Sequence, residues 1–233
     1  KTFTVGFNTL TEGKEADETA SFLGTDHTEL NIGPDEFFSV LPRVTYHFDE
    51  PIADPSAVGL YFVAEEARKH VKVVLSGEGA DELFGGYNIY LAPLASQKLL
   101  WVPKNLVSLF INLPFEFFGK NYLRRVSQRL EDWYFGQKYF NQSIFKRDEI
   151  KKLWTGKNEK FMSISQLYKQ TKNLSDSTAM QFIDVHTWLV GDILAKADKM
   201  TMANSLELRV PFLDTYVSRL ATSLPDRFKW KGG

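Results

Sequence analysis

Apolar residues alternate with threonine and glycine from Thr2 to Phe7, and this period of two is typical of a β-strand. A polar stretch and a helical segment, Asp17 to Leu23, follow, and Gly24 stands where helices commonly end. A second short strand is predicted from Thr28 to Ile32. Strand, helix and strand at this spacing predict a parallel α/β arrangement.

The α/β pattern continues as far as residue 75. Pro34 to Phe48 is predicted to be helical, because proline and an acidic residue open the segment, as helix starts favour. A turn-rich segment, Asp49 to Ser56, leads into a second helix from Ala57 to His70. The run from Val71 to Leu75 is short, apolar and rich in β-branched residues, which predicts a buried parallel strand.

The second half of the chain has a different pattern. From about residue 95 through Tyr168, aromatic and aliphatic residues recur among lysines and arginines at helical spacings. A further helix is predicted from Gln181 to Ala203. We therefore expect an α/β part over residues 1–93 and a mainly helical part over residues 94–233, with no internal repeat.

Composition and charge exclude several classes of protein. Hydrophobic residues make up 43% and charged residues 24% of the 233 positions, which is ordinary for a globular chain that buries a core. The formal net charge of -1 gives no electrostatic case for sequence-independent nucleic-acid binding. The absence of cysteine excludes disulfides and a cysteine nucleophile within this sequence. No stretch approaches the roughly 18 apolar residues that span a bilayer, so we expect no membrane insertion. The absence of cysteine fits a reducing compartment, and we expect a cytoplasmic location.

The loop after the run Val71–Leu75 carries the strongest chemical signal. Ligands of open α/β sheets bind at the carboxyl ends of the strands. Gly77 and Gly79 let backbone N–H groups approach an anion there without interference from a β-carbon, and the Ser76 hydroxyl can donate to a phosphate oxygen. Neither a dinucleotide fingerprint nor a P-loop fits, because Glu82 replaces the third glycine and no Gly-Lys-Ser/Thr triplet occurs.

Three carboxylates, Glu78, Asp81 and Glu82, accompany this predicted anion site. Acids beside a phosphate are explained if Mg²⁺ lies between them or if one acts as a general base. Asp81 and Glu82 would equally favour the start of the next helix through its dipole. The residues alone leave both explanations open.

A charged residue also falls on the apolar face of the helix predicted from Gln181 to Ala203. At about 100° per residue, Lys196 lies within that face, with Asp192 and Lys199 on its flank. A buried charge must be paired or must meet a charged ligand. An ion pair with Asp192 explains Lys196, and binding of a phosphate or carboxylate is the alternative.

The segment beyond this helix holds a further pair of opposite charges. Glu207 and Arg209 form either a structural ion pair or an anion clamp. Asp214 is a good N-cap for the following helix, which is predicted to run through Leu220. The four histidines have no metal-ligand spacing, so no metal centre is predicted from them.

Four parts of the chain, in order, resemble the ATP-dependent synthetase domain of the asparagine synthetase family. The most specific are Leu75 to Tyr87, with its Ser-Gly-Glu-Gly-Ala-Asp-Glu core, and Lys196 to Asp214, which contains Glu-Leu-Arg-Val-Pro-Phe-Leu-Asp. The other two are Thr2 to Phe7 with Gly24 to His27, and Asp49 to Ser56. The aromatic middle, from about residue 95 to 175, matches no family motif.

The resemblance implies an adenine-nucleotide α-hydrolase-like fold, in which helices flank a parallel sheet. It implies that ATP activates the side-chain carboxylate of aspartate as an acyl-adenylate, β-aspartyl-AMP, with release of pyrophosphate. Ammonia derived from glutamine then displaces AMP and gives asparagine. ATP and Mg²⁺ are the implied cofactors, and the parent protein is expected to be a ligase.

The resemblance also implies roles for individual residues. Asp81 would help to hold Mg²⁺ on the pyrophosphate, and Glu78 would assist attack of the amine as a general base. Contacts with the nucleotide or its adenine pocket are implied for Ser76, Gly77, Val5 and Gly6. The family positions near the substrate are Lys196, Lys199, Glu207 and Arg209.

The resemblance leads us to expect a longer parent protein. The family's main pyrophosphate loop, Ser-Gly-Gly-x-Asp-Ser, should precede Thr2, and a lysine is expected shortly after Gly233. The implied partner is an N-terminal glutaminase domain of the same parent, and a homodimer is compatible with the sequence. We expect the isolated chain to have little or no synthetase activity.

Two other classes of function are open. The parent could be another amide-forming ligase on this scaffold, a lactam- or peptide-cyclising enzyme with a different carboxylate substrate. It could also be a non-catalytic binding or assembly module. The presence of both Glu78 and Asp81 counts against the second alternative, because a protein without chemistry has little reason to keep both acids in one loop.

Overall fold

The computed structural model describes residues 1–7, 12–49, 54–97, 102–111, 113, 119–134, 152 and 164–230. Much of the predicted helical stretch from residue 95 to 168 lies outside these ranges, as do residues 50–53 and 231–233. Among the described helices, none is long and apolar enough to cross a membrane.

Strands and helices alternate at the start of the chain, in the order β1 (Thr2–Phe7), α1 (Gly13–Leu23), β2 (His27–Ile32), α2 (Pro34–Phe48), α3 (Ser56–Arg68) and β3 (Val73–Leu75). Helical segments follow: α4 (Ala80–Phe84), a 3-10 turn (Asn88–Leu91), α5 (Ala92–Gln97), α6 (Lys104–Ile111), α7 (Lys120–Val126), α8 (Leu130–Trp133), α9 (Ser165–Gln170) and α10 (Asp176–His186). The last part comprises a π-helical turn (Leu189–Leu194), α11 (Ala195–Ala203), β4 (Glu207–Arg209), a 3-10 turn (Pro211–Leu213), α12 (Thr215–Ser223) and α13 (Asp226–Lys229).

The chain forms two compact units. The first comprises residues 1–79 and 187–217, and the second comprises residues 80–186 and 218–233. All four described strands belong to the first unit, while the second is built from helical segments. The division predicted after residue 93 partitions the chain differently, and it stays a prediction.

Parallel pairing in the first unit confirms the predicted α/β class. Strand β1 pairs with β2, with Thr2 opposite His27 and Phe7 opposite Ile32. Strand β3 pairs with β4 in the same sense, with Val73 opposite Glu207. The sequence did not predict β4, because a strand of three residues shows no measurable period.

Helix α2 illustrates why the first unit folds as predicted. Its bounds match the sequence prediction, with Pro34 in the first turn and the Gly33 N–H donating to the Glu36 carboxylate over 3.0 Å. Val40 and Val44 are buried one turn apart. They form a core with residues of α2, α3 and α11: Phe48, Ala57, Val58, Tyr61 and Met200.

Strand β3 corrects one prediction. The strand is parallel, as predicted, but the prediction that it is buried is wrong, because Val73 is 54% exposed and Leu75 is 74% exposed. The physical reason is that, in the described part of the chain, β3 pairs with β4 along one edge only. A cavity of about 570 Å³ adjoins it, lined by residues of both strand pairs that include Phe3, Val74 and Leu208.

The second unit has its own apolar core. Tyr90, Met180 and Trp230 are buried together, and partly buried aromatic residues surround them. Trp230, from the end of the chain, reaches the turn after α4 and donates its indole N–H to the Gly85 carbonyl over 3.1 Å. This contact fixes the turn that follows α4, the helix on which Asp81 lies.

Candidate functional site

The glycine-containing loop leaves the carboxyl end of β3, as the sequence predicts. The Ser76 N–H donates to the Arg209 carbonyl over 2.9 Å, which extends the pairing of β3 with β4 by one residue. The Ser76 hydroxyl lies 3.4 Å from a carboxylate oxygen of Glu78 and donates to it. The loop therefore brings two predicted site residues, Ser76 and Glu78, into contact with each other.

The two glycines of this loop differ in what surrounds them. A β-carbon at Gly77 would meet nothing within 4 Å, so the backbone there is open to a ligand. Gly79 has a φ of +87°, and a β-carbon there would lie 2.8 Å from Cγ of Leu213. Gly79 is thus required by conformation and packing, whereas Gly77 has the open backbone that an anion cradle needs.

Val5 and Gly6 lie in the carboxyl half of β1, which belongs to the other strand pair. Helix α3 packs closely against them: a β-carbon at Gly59 would lie 3.3 Å from Cγ1 of Val5. Gly6 is buried, and Val5 is half-buried. These positions lie at a sheet edge where parallel α/β folds bind ligands.

Lys196 is buried in the first unit, and the structure gives it a different partner from the one predicted. Its ammonium donates to the Asp54 carboxylate over 2.5 Å and to the Ser56 hydroxyl over 2.7 Å. The expected ion pair with Asp192 is therefore wrong, because Asp54, which is 142 residues away in sequence, takes the short contact. The sequence could not show this, since helical spacing reports neighbours along one helix only.

Asp54 is held in its ionised form. Burial alone would raise the pKa of Asp54, but the hydrogen bonds from Lys196 and Ser56 outweigh it and leave that pKa below its usual value. The Ser56 N–H adds a bond of 2.9 Å to the same carboxylate at the start of α3. The cluster formed by Asp54, Ser56 and Lys196 therefore joins the first turn of α3 to α11.

Asp192 lies beside this cluster on the π-helical turn. Burial, together with the nearby charge of Asp54, raises the pKa of Asp192, and Lys196 opposes that shift. Its Oδ2 atom is buried and accepts no hydrogen bond from any residue that the structure describes. Single π-helical turns in helices are frequent at functional sites. The apolar pattern of the sequence did not indicate this turn, because that pattern was analysed with the α-helical period of 3.6 residues, and a π-helical turn contains one extra residue.

Lys199, one turn further along α11, contacts the last residues of α2. It donates to the Asp49 carboxylate over 2.8 Å and to the Phe48 carbonyl over 3.1 Å. The Lys199 hydrogen bond lowers the pKa of Asp49. Because 81% of the Asp49 side chain is exposed, this is a surface pair.

Glu207 and Arg209 form the structural ion pair that was one of their two predicted roles. Their charged atoms are 3.0 Å apart on β4, and their side chains are 45% and 69% exposed. Exposed pairs of this kind contribute little to stability. Because most of its side chain is exposed, Arg209 remains accessible to an anion at the edge of the strand.

Asp81 lies on α4 in the second unit, where its carboxylate is exposed. No group of three or more acidic, histidine or cysteine side chains among the described residues could hold a metal by itself. An exposed carboxylate fits Mg²⁺ that is bound mainly by nucleotide phosphates and water, which is how Mg²⁺ commonly binds in ATP-using enzymes. The donor chemistry at Asp81 therefore fits the implied ion.

The second unit also contains a buried acidic network that the sequence did not predict. Asp184 accepts hydrogen bonds from the hydroxyls of Tyr90 and Tyr134. Burial is the largest cause of a raised pKa at Asp184. Glu82 is only 1% exposed, and its carboxylate accepts a hydrogen bond from the Tyr87 hydroxyl over 2.8 Å. This acid therefore has a structural role and is not available to a ligand in the open loop.

Comparison with known proteins supplies a family for this geometry. The sequence profile of the asparagine synthase family matches residues 1–233. Asparagine synthetase [glutamine-hydrolyzing] 1 of Bacillus subtilis is 46% identical over 100% of this chain and 38% of its own length. A Mycobacterium tuberculosis protein is 44% identical over 96% of this chain and 35% of its own length. This chain thus spans little more than a third of these relatives.

A more distant relative has a different name. Amidase chry2 of Gibberella zeae is 34% identical over 42% of this chain, which covers 15% of that protein. The match over the whole chain, together with the parallel strands and the loop after β3, supports the predicted adenine-nucleotide α-hydrolase-like fold. The chain belongs to the asparagine synthase family.

Proposed function

We propose that this chain supplies the nucleotide- and acceptor-binding part of a glutamine-dependent asparagine synthetase. ATP would activate the side-chain carboxylate of aspartate as β-aspartyl-AMP and release pyrophosphate, and ammonia would then displace AMP. The observation that carries the proposal is the loop from Ser76 to Gly79: it follows a parallel strand and is open above Gly77, in a chain of this family.

The first unit would bind the nucleotide. The Gly77 backbone and the Ser76 hydroxyl would contact phosphate oxygens, and Val5 and Gly6 would line the adenine pocket. Open backbone at a strand's carboxyl end supports the first assignment, and the position of β1 supports the second. Asp81, which belongs to the second unit, would hold Mg²⁺, and that ion would neutralise charge on the departing pyrophosphate.

Glu78 would act as general base in the second step. The ammonia nitrogen forms a bond to the acyl carbon, the bond from that carbon to the AMP oxygen breaks, and Glu78 accepts a proton from the nitrogen. The contact with Ser76 supports this role, because it places the Glu78 carboxylate beside the hydroxyl that would turn to the nucleotide when ATP binds.

The basic residues of the first unit would serve the acceptor. Lys196 would act through Asp54 and Ser56, since both of them already bind its ammonium. Lys199 would hold Asp49 at the end of α2, and Arg209 and Glu207 would form the exposed edge of the site on β4. A glutaminase domain in the rest of the parent would supply ammonia; a homodimer and a cytoplasmic location stay predictions.

Kinetic assays on the whole protein test this function. Incubation with Mg-ATP, aspartate and glutamine or ammonia should release AMP and pyrophosphate and form asparagine. Glu78→Gln should keep aspartate-dependent ATP–pyrophosphate exchange but lower asparagine formation about 100-fold or more, as loss of a general base does. Glu18→Gln, at an exposed surface position, is the matched control. Absence of aspartate-dependent exchange in the unsubstituted protein would refute the proposal.

A second candidate is an amide-forming ligase with another carboxylate substrate, and the similarity to Amidase chry2 favours keeping it. ATP–pyrophosphate exchange with aspartate and with a panel of other carboxylic acids separates the two. Faster exchange with another acid would select this candidate, and preference for aspartate would exclude it.

A further inference from the structure

The turn after α4 brings Gly86 directly against the side chain of Asp81. The Gly85 and Gly86 N–H groups both donate to the Asp81 carbonyl, over 2.9 and 3.0 Å, so the chain folds back on this residue. A β-carbon at Gly86 would overlap Oδ1 of Asp81 and would lie 2.9 Å from its Cγ. The carboxylate therefore occupies the space that any other residue at position 86 would fill.

The turn is held on two further sides within the second unit. Gly85 has a φ of +79°, and a β-carbon there would lie 2.5 Å from the indole nitrogen of Trp230. Gln181, 5% exposed, donates its amide to the Glu82 carbonyl over 2.6 Å and accepts from Lys229 over 3.0 Å. These contacts fix the backbone at Glu82 and Gly85, directly after an acid that is itself exposed.

We propose that Gly86 is a positioning residue for Asp81: its missing side chain lets the carboxylate adopt the orientation in which it meets the metal–nucleotide complex. This inference rests on the proposed role of Asp81. Gly86 does not have a positive φ, and the one backbone atom near a β-carbon there would be Cα of Asp81, at 3.2 Å. The carboxylate is nearer than that backbone atom, so it is the main reason that position 86 requires glycine.

The test compares ATP binding by the whole protein as Mg²⁺ is varied, measured by calorimetry without acceptor substrate. Gly86→Ala should raise the Mg²⁺ concentration for half-maximal effect about tenfold, the lower end of what loss of a metal's supporting contact costs. ATP binding without Mg²⁺ and the melting temperature of the metal-free protein should stay unchanged. Gly191→Ala is the matched control, because a β-carbon there meets nothing within 4 Å.

A double-substitution cycle distinguishes positioning from structural damage. In an Asp81→Asn background, Gly86→Ala should have no further effect on the Mg²⁺ dependence. If Asp81→Asn shifts that dependence and Gly86→Ala does not, the positioning role is overturned and the proposed function stands. Should Asp81→Asn itself change nothing, the metal role of Asp81 fails, and the inference fails with it. An equal effect of Gly86→Ala in both backgrounds, or a lowered metal-free melting temperature, would also overturn it.

Discussion

Replacing Lys196 by methionine should destabilise the first unit, because it leaves Asp54 without its cation. The Lys196 and Asp54 side chains are 9% and 18% exposed, and their charged atoms are 2.5 Å apart. Removing one partner of a fully buried pair costs about 3–5 kcal/mol. Since Asp54 keeps some exposure and its bond from the Ser56 N–H, we expect about 2–3 kcal/mol for Lys196→Met.

Thermal unfolding of the purified protein measures this loss. At about 2–4 °C per kcal/mol for a domain of this size, the melting temperature should fall by about 4 °C or more. Lys199→Met is the matched control on the same helix: its partner, Asp49, is 81% exposed, so the loss should be about 0–1 kcal/mol. Lys196→Met should also cost less in an Asp54→Asn background. Equal losses for the two lysines would refute the importance of burial here.

The same pair makes a prediction about pH. The pKa of Asp54 is lowered in the folded state, so its contribution to stability is fully present above the ordinary carboxyl pKa of 3.8 and is lost as pH falls through the lower folded value. The difference between the unsubstituted protein and Lys196→Met should therefore be greatest near neutral pH and shrink below about pH 4. A difference that grows on acidification would contradict the assigned ion pair.

Two further substitutions test other features. Gly79→Ala should lower the free energy of unfolding by about 2 kcal/mol or more, because it combines a positive φ with a clash against Leu213. Gly77→Ala should leave stability nearly unchanged and weaken ATP binding in the whole protein. Equal melting temperatures for the two variants would refute this distinction. Asp184→Asn should become more stable relative to the unsubstituted protein as pH rises above about 4, because the pKa of the Asp184 carboxyl is raised in the folded state and its contribution to stability is lost as pH rises through that folded value. Denaturation at several pH values measures the difference in unfolding free energy between the two proteins. A difference that does not change with pH would contradict the raised pKa.

The sequence predicted those features that depend on local pattern. The bounds of α2 match because proline, acids and the apolar spacing act within one helix. Gly24 ends α1 in the left-handed conformation, and Asp214 accepts from the Tyr216 N–H over 2.8 Å, as an N-cap should. Each of these features is set by residues a few positions apart, so a single sequence suffices.

The features that were missed depend on contacts between distant residues. Lys196 was identified as buried, but its partner Asp54 comes from a segment that no helical period connects to it. The exposure of β3 depends on which strands flank it, which an apolar run does not report. Glu82 lies in the first turn of α4, one of the two places that its sequence left open, but its burial and its bond from Tyr87 depend on the path of the turn between them, which no local pattern reports.

The single paired edge of β3 also affects how this chain behaves when it is produced alone. Within the described residues its second edge has no strand partner and adjoins exposed Val73 and Leu75, and such an edge is a template for strands of other molecules. The net charge of -1 offers almost no mutual repulsion to keep copies apart. We therefore expect the edge of β3 to contribute to self-association at high concentration, and a charged substitution at Leu75 should reduce that contribution.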